Sequence, residues 1–300
     1  MVQKLRNYLS HLSKIPALQM KLETALRDLE YVRESLGRIE ARQTAVSSSP
    51  RLADYEFRVF SQWGEDGIIQ YLIRNLNISS KTFVEFGVES YREASTRFLL
   101  MHDNWRGLVI DGSSEHMTAL RREDLYWRYD LTAVDSFVTP SNINSLISTH
   151  GFSGDLGLLS VDIDGMDYWV WKSINVVSPA IVITEYNALF GPDRAVTLPL
   201  DEKFTRGQGH HSMIYYGASL AALVKLGAEK GYACVGCNSA GNNAFFVSRD
   251  LMPVNWKALT AREAYVEARF REVRDETGAL TFASSAAQRS ILEKLPVVEV

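Results

Sequence analysis

The stretch Thr82-Phe83-Val84-Glu85-Phe86-Gly87-Val88 decides the fold. It is a compact apolar run, too short for a helix, that ends at a carboxylate and a glycine. A buried strand turning abruptly into a loop reads this way, because glycine adopts backbone angles that other residues resist. Leu108-Val109-Ile110-Asp111, Leu158-Leu159-Ser160-Val161-Asp162 and Ala180-Ile181-Val182-Ile183-Thr184 repeat the pattern. Between such runs lie segments of helical spacing: residues 61–76, with Ile68, Ile69, Leu72 and Ile73 on one face, and residues 94–101. This alternation predicts a mostly parallel sheet covered by helices on both faces. Near the end the order changes. Residues 217–231 read as a helix, and residues 232–237 and 244–248 as two strands around Asn238-Ser239-Ala240-Gly241-Asn242-Asn243, so an antiparallel hairpin closes the sheet of seven strands.

The chain has 300 residues, 46% hydrophobic and 23% charged, the balance of a globular protein. A net charge of -4 gives no general attraction to nucleic acid or an anionic membrane. Neither a signal peptide nor eighteen consecutive apolar residues can be found, so a cytoplasmic location is expected. Cys234 and Cys237 are spaced C-x-x-C, but no second pair completes a zinc site, and residues three apart on a strand face opposite ways; buried thiols are expected.

Residues 12–40 carry a seven-residue rhythm, with Ile15, Leu22, Leu29 and Leu36 on one stripe and Leu12 and Leu26 on its neighbour. The second stripe fails at Gln19, Arg33 and Glu40, which suits a short, imperfect coiled coil or oligomerisation arm; an amphipathic helix on its own domain is the alternative. Thr44-Ala45-Val46-Ser47-Ser48-Ser49-Pro50 reads as a linker. The expected organisation is a helical arm over 1–45, an α/β domain over 46–255 and a C-terminal helical extension over 256–300, including a helix at 260–277.

In an open parallel sheet, ligands bind beyond the carboxyl ends of the strands. Glu85 and Gly87 end the first strand there, but G-x-G-x-x-G is absent, which argues against a dinucleotide fingerprint. Asp111, in Ile110-Asp111-Gly112-Ser113, stands where nucleoside-binding folds place a ribose-binding acid; it could also cap the next helix. Asp130, after residues 126–129, is a candidate contact at the end of a third strand. The densest signal is Ser160-Val161-Asp162-Ile163-Asp164-Gly165-Met166-Asp167, whose three carboxylates repel unless a cation or ligand amine screens them. Glu185 and Asn187 on the next run add oxygen donors, so a divalent metal held by Asp164, Glu185 and Asn187 is one reading and a hydrogen-bonded cluster without metal the other. His210 and His211 lie in a polar loop before the last helix, where a histidine could be a general base or merely solvated. Trp169 and Trp171 read as core.

At these residues the chain resembles the class I S-adenosylmethionine-dependent methyltransferases, and among them the FkbM-type and macrocin-type sugar O-methyltransferases, over about residues 60–251. Ser61-Gln62-Trp63-Gly64-Glu65-Asp66 is similar to the segment before the cofactor strand of the FkbM type, and Phe83-Val84-Glu85-Phe86-Gly87 to the first methyltransferase motif. The resemblance implies a Rossmann-like methyltransferase fold. It implies that Glu85 and Gly87 meet the methionine end of S-adenosylmethionine, that Asp111 binds the ribose, and that Gln62, Ser90, Gly112, Ser113, Asp130 and Asp162 complete the cofactor site. Asp164-Gly165-Met166-Asp167 occupies the place of the macrocin-type Asp-Gly-x-His element, which makes Asp164 a Mg2+ ligand and puts Asp167 for the histidine. Glu185 matches the first acid of a later pair, while Tyr186 stands where the second would be. Asp167, His210 and His211 are then the candidate bases.

The implied reaction is methyl transfer to a hydroxyl of a carbohydrate or glycosylated small molecule, as in polysaccharide biosynthesis, with no nucleic acid partner, no transmembrane segment and a homo-oligomer built through the N-terminal helix. The alternatives are an inactive methyltransferase-like binding protein, a nicotinamide-dependent oxidoreductase, and a nucleic-acid methyltransferase disfavoured by the acidic composition.

Overall fold

The computed structural model describes residues 14–269 and 272–300. Leu12, and with it the first turn of the expected arm, lies outside the described residues. The described chain opens with helix α1 (Ile15–Thr44), followed by α2 (Glu65–Asn75). Strands and helices then alternate: β1 (Thr82–Phe86), α3 (Arg97–Asp103), β2 (Arg106–Asp111), α4 (Ser114–Leu120), α5 (Asp124–Arg128), β3 (Leu131–Asp135), α6 (Ile143–Thr149), β4 (Gly154–Val161), α7 (Asp167–Ser173) and β5 (Val177–Glu185). The short strand β6 (Val196–Thr197) and one-turn α8 (Arg206–Gly209) lead to α9 (Leu220–Glu229), the hairpin strands β7 (Tyr232–Cys237) and β8 (Asn243–Ser248), one-turn α10 (Ala261–Ala264), α11 (Ser285–Leu292) and β9 (Val298–Glu299).

Seven strands form one sheet in the order β3-β2-β1-β4-β5-β8-β7, and β6 pairs with β9. The first five run parallel, and β8 turns antiparallel against β5 and β7. This is the Rossmann-like methyltransferase fold expected from the sequence. Alternation builds a core on each face: Val84, Phe86, Leu108, Ile110, Leu159 and Phe246 pack against α6, α7 and α9, while Phe83, Val109, Leu158 and Phe245 pack against α2, α3 and α4. Each such fully buried side chain contributes about 1.5–3 kcal/mol relative to exposure. Trp171 belongs to the first of these cores, whereas Trp169 is half-buried and donates from its indole to Leu198 O at 2.9 Å.

The structure corrects the sequence reading at four places. Residues 126–128 end a helix, with Leu125 buried, and the third strand begins at Leu131, so Asp130 precedes that strand instead of ending it. The expected helix at 217–231 starts only at Leu220, because Ser219 caps it and Gly217 sits at φ +67°. In place of a helix at 260–277 there is one turn, Ala261–Ala264, begun by a capping box between Thr260 and Glu263; Tyr265 after it is extended, and Tyr265 and Val266 are hydrogen-bonded to the Ala188 and Tyr186 region. Cys234 and Cys237 are both buried in the same core, because the register of β7 shifts between Cys234 and Gly236. Among the described residues no helix is long and apolar enough to cross a membrane.

Candidate functional site

A cavity of about 480 Å³ opens at the carboxyl ends of β1, β2, β4 and β5, where the sheet changes winding direction. Gly87 makes the first turn. Its φ is +70°, and a Cβ there would fall 1.8 Å from Asp162 O, so only glycine lets the ends of β1 and β4 pass this closely. The loop it starts is pinned by Asp111, whose Oδ2 accepts from Glu89 N at 2.7 Å and whose Oδ1 accepts from Ser113 N at 2.8 Å. Ser113, not Asp111, caps α4, by accepting from His116 N.

Among the described residues, nine carboxyl groups line the cavity, from Glu65, Glu85, Glu89, Glu93, Asp111, Asp162, Asp164, Glu185 and Glu202, against one cation, Arg206. Their environments differ. Glu65 is buried with its oxygens accepting from the Asn238 and Asn243 amides and from Trp63 N. Glu85 accepts from Ser95 N at 2.9 Å and Thr96 N at 3.1 Å, yet burial still pushes its pKa up to about 7. Asp164, at φ +56°, is ion-paired with Arg206 at 2.7 Å, and Arg206 also reaches Glu272 at 3.3 Å and donates to Met213 O at 2.7 Å. Asp162 and Glu185, at the ends of neighbouring strands, are pushed well above the usual carboxylate range by burial and then by the surrounding acids. Glu185 Oε2 is buried without a hydrogen-bond partner among the described residues. Such an atom loses its water and gains nothing in return, which costs about 1–3 kcal/mol or more for a charged group.

Gln62, Glu85, Gly87, Asp111, Gly112, Asp162, Asp164 and Glu185 are thus brought together, and Ser90 and Ser113 sit just outside the lining. Other expected site residues lie elsewhere. Asp130 is at the opposite edge of the sheet, its largely exposed carboxylate 3.8 Å from Arg106 at the start of β2. Asp167 is fully buried, with one oxygen accepting from Ile163 N at 2.8 Å and the other from Gly165 N at 2.9 Å; it shapes the loop below the cavity and does not face into it. The rings of His210 and His211 lie 4.1 Å apart and tilted by 35° outside the lining, and His210 Nδ1 is 2.7 Å from Ser212 Oγ. Asn187 donates to Ile214 O and Tyr216 O and accepts from Leu189 N, so its amide is spent on the backbone. Tyr186 turns its hydroxyl to Val266 O.

The donor set of Asp164, Glu185 and Asn187 therefore does not fit a divalent cation: one member is paired with arginine and another is spent. Among the described residues no three His, Cys, Asp or Glu side chains are grouped to hold a metal. Sequence reasoning missed Arg206, which lies in the same polar loop as the two histidines, and Glu202, Phe204 and the Ser136-Phe137-Val138 wall after β3. The alternating Leu131-Thr132-Ala133-Val134-Asp135 would have located that wall had it been read as the strand.

No family model matches the chain, and no curated protein is similar to it. Among solved structures, the chain is similar to the N-terminal domain of EvdMO1 with SAH bound, at 9% identity and TM-score 0.42 over 72% of this chain and 96% of that one. It is also similar to an O-methyltransferase from Bacillus cereus in complex with SAH, at 13% identity and TM-score 0.39 over 72% and 89% of the two chains. A third is an S-adenosylmethionine-dependent methyltransferase from Clostridium acetobutylicum, at 10% identity and TM-score 0.39 over 61% and 89%. These likenesses are remote, and the fold rests on the strand order traced above.

Proposed function

We propose that the chain is an S-adenosylmethionine-dependent O-methyltransferase and that the acidic cavity is its cofactor site. The observation that carries this is the acidity of the lining: among the described residues nine carboxyl groups stand against one guanidinium, with Glu185 Oε2 unpaired. A dinucleotide pyrophosphate would be repelled there, whereas a ligand bearing cations is attracted. When bound, S-adenosylmethionine supplies an electrophilic methyl on a sulfonium beside an ammonium group. Asp111 faces the place of ribose hydroxyls, and Ile110, Phe137 and Val138 give the flat apolar wall that a base requires. Glu85 and Gln62 line the part of the cavity beside Gly87, where the methionine end is placed by the resemblance to the first methyltransferase motif.

Transfer to oxygen requires alignment of acceptor, methyl and sulfur, and removal of the hydroxyl proton. Asp167, His210 and His211 do not line the cavity, so this role moves to Glu185. Its buried Oε2 has no hydrogen-bond partner among the described residues, and burial together with the surrounding acids raises its basicity. Arg206 holds Asp164 and closes one side of the cavity. A carbohydrate hydroxyl is the acceptor class we favour, on the resemblance of Ser61–Asp66 and Asp164–Asp167 to the sugar O-methyltransferase segments.

The test is calorimetric titration of the purified chain with S-adenosylhomocysteine and, separately, with NAD+. Binding of the first and none of the second is expected. Binding of NAD+ alone would overturn the reading in favour of an oxidoreductase.

A further inference from the structure

Helix α1 is held to the domain only along its C-terminal part. Glu30 pairs with Arg97 at 2.5 Å, the Arg33 guanidinium lies 4.5 Å over the Phe60 ring, and Ala41 O accepts from Arg74 at 2.9 Å. Gly37 is buried here because a Cβ would fall 2.3 Å from Val59 Cγ2. Residues 14–29, in contrast, are exposed throughout.

On a different side of the helix runs an apolar seam. Ile15, Leu22, Leu29 and Leu36 form one row, and three residues after each stand Leu18, Ala25, Val32 and Ile39. The spacing alternates three and four over the whole helix, the 3.5-residue repeat that matches a second helix of the same repeat. The seven large side chains of the seam are 44 to 63% exposed, so the domain covers none of them. Among the described residues the next-longest helix, α2, has 11 residues and buries its apolar side in the core, so the described residues offer the seam no partner.

The flank adds a second argument. Lys21 and Asp28 lie one heptad apart on the same side of the seam. About a two-fold axis near Thr24, in an antiparallel pair, Lys21 of one copy faces Asp28 of its partner and the reverse, while Ile15 meets Val32, Leu18 meets Leu29 and Leu22 meets Ala25, so the surface is self-complementary in charge as well as shape.

We propose that α1 pairs antiparallel with α1 of a second copy through the seam from Ile15 to Val32. The test is light scattering by the full chain, its Leu22→Glu/Leu29→Glu variant and an off-seam control, Arg27→Glu. The wild type and the control are expected at twice the 33.8 kDa of one chain and the seam variant at a single chain, all three with the same thermal unfolding of the domain. A single-chain mass for the wild type would overturn the proposal. So would a seam variant that stays paired, or a control that also dissociates. A single-chain wild type that sediments with anionic vesicles would assign the face to a lipid surface instead. S-adenosylhomocysteine titration of the same samples reads the cavity separately, so failure of one proposal is distinguishable from failure of the other.

Discussion

The loop at residues 163–167 and the end of β5 both carry a buried acid, and the two acids behave in opposite ways. Asp167 spends both oxygens on backbone N–H groups and so fixes a loop. Glu185 ends a strand in the cavity wall and leaves Oε2 unpaired. In sequence both were strand-end carboxylates in one acidic neighbourhood. Hydrogen bonds and access together separate them: Asp167, filled and outside the lining, is architecture, whereas Glu185, desolvated and unfilled in the cavity wall, is held ready for a ligand or a proton.

That contrast is sharpened most by Glu185→Gln. Methyl transfer is expected to fall about 10²–10⁴-fold, the contribution of a positioned base, with no loss of thermal stability, as checked by radiolabel transfer and a melting curve. Asp167→Ala should do the reverse. It removes two charge-assisted hydrogen bonds and orphans two N–H groups, for a loss of about 3 kcal/mol in urea unfolding. If Asp167→Ala kept full stability and lost only activity, the division between the two acids would be broken.

The pH dependence tests the buried acids together. Glu85 rises from 4.5 to about 7 on folding, and Asp66 and Asp167 from 3.8 to about 6. The folded state then holds more protons than the unfolded state between those values, so stability is greatest below about pH 4 to 5 as far as these groups go, and is lost as pH rises through 6 and 7. Unfolding of the ligand-free protein at about pH 5.5 is expected to need more urea than at about pH 8. The smallest effect is expected at the two loop histidines: His210→Ala and His211→Ala should each change stability by no more than about 0.5 kcal/mol and leave S-adenosylhomocysteine binding unaltered, by calorimetry.

The sheet was legible because its strands are fully buried and each ends in a polar residue, as in Phe83–Gly87 and Leu108–Asp111. The third strand was obscured by Tyr126–Tyr129, whose aromatic residues read as strand but form the end of a short helix under Leu125. Glu85, Gly87, Asp111 and Asp162 could be placed at the site from strand ends alone. The direction of a side chain leaving a strand end could not, because Asn187 and Asp167 turn back toward backbone groups distant in sequence or inside their own loop. Arg206 was invisible for a related reason: its partners Asp164 and Glu272 lie 42 and 66 residues away. In the arm, the stripe of Ile15, Leu22, Leu29 and Leu36 stands exposed on α1, as do Leu26 of its expected neighbour and Leu18, Val32 and Ile39 beside it.

The most direct test of the acidic cavity as a cofactor site is calorimetric titration of the wild type and of Asp162→Asn with S-adenosylmethionine. Binding to the wild type is expected, with affinity about tenfold weaker in the variant, the loss of about 1.4 kcal/mol of attraction, at an unfolding temperature no lower than that of the wild type. Equal affinity in the two, or no binding to the wild type, would contradict it.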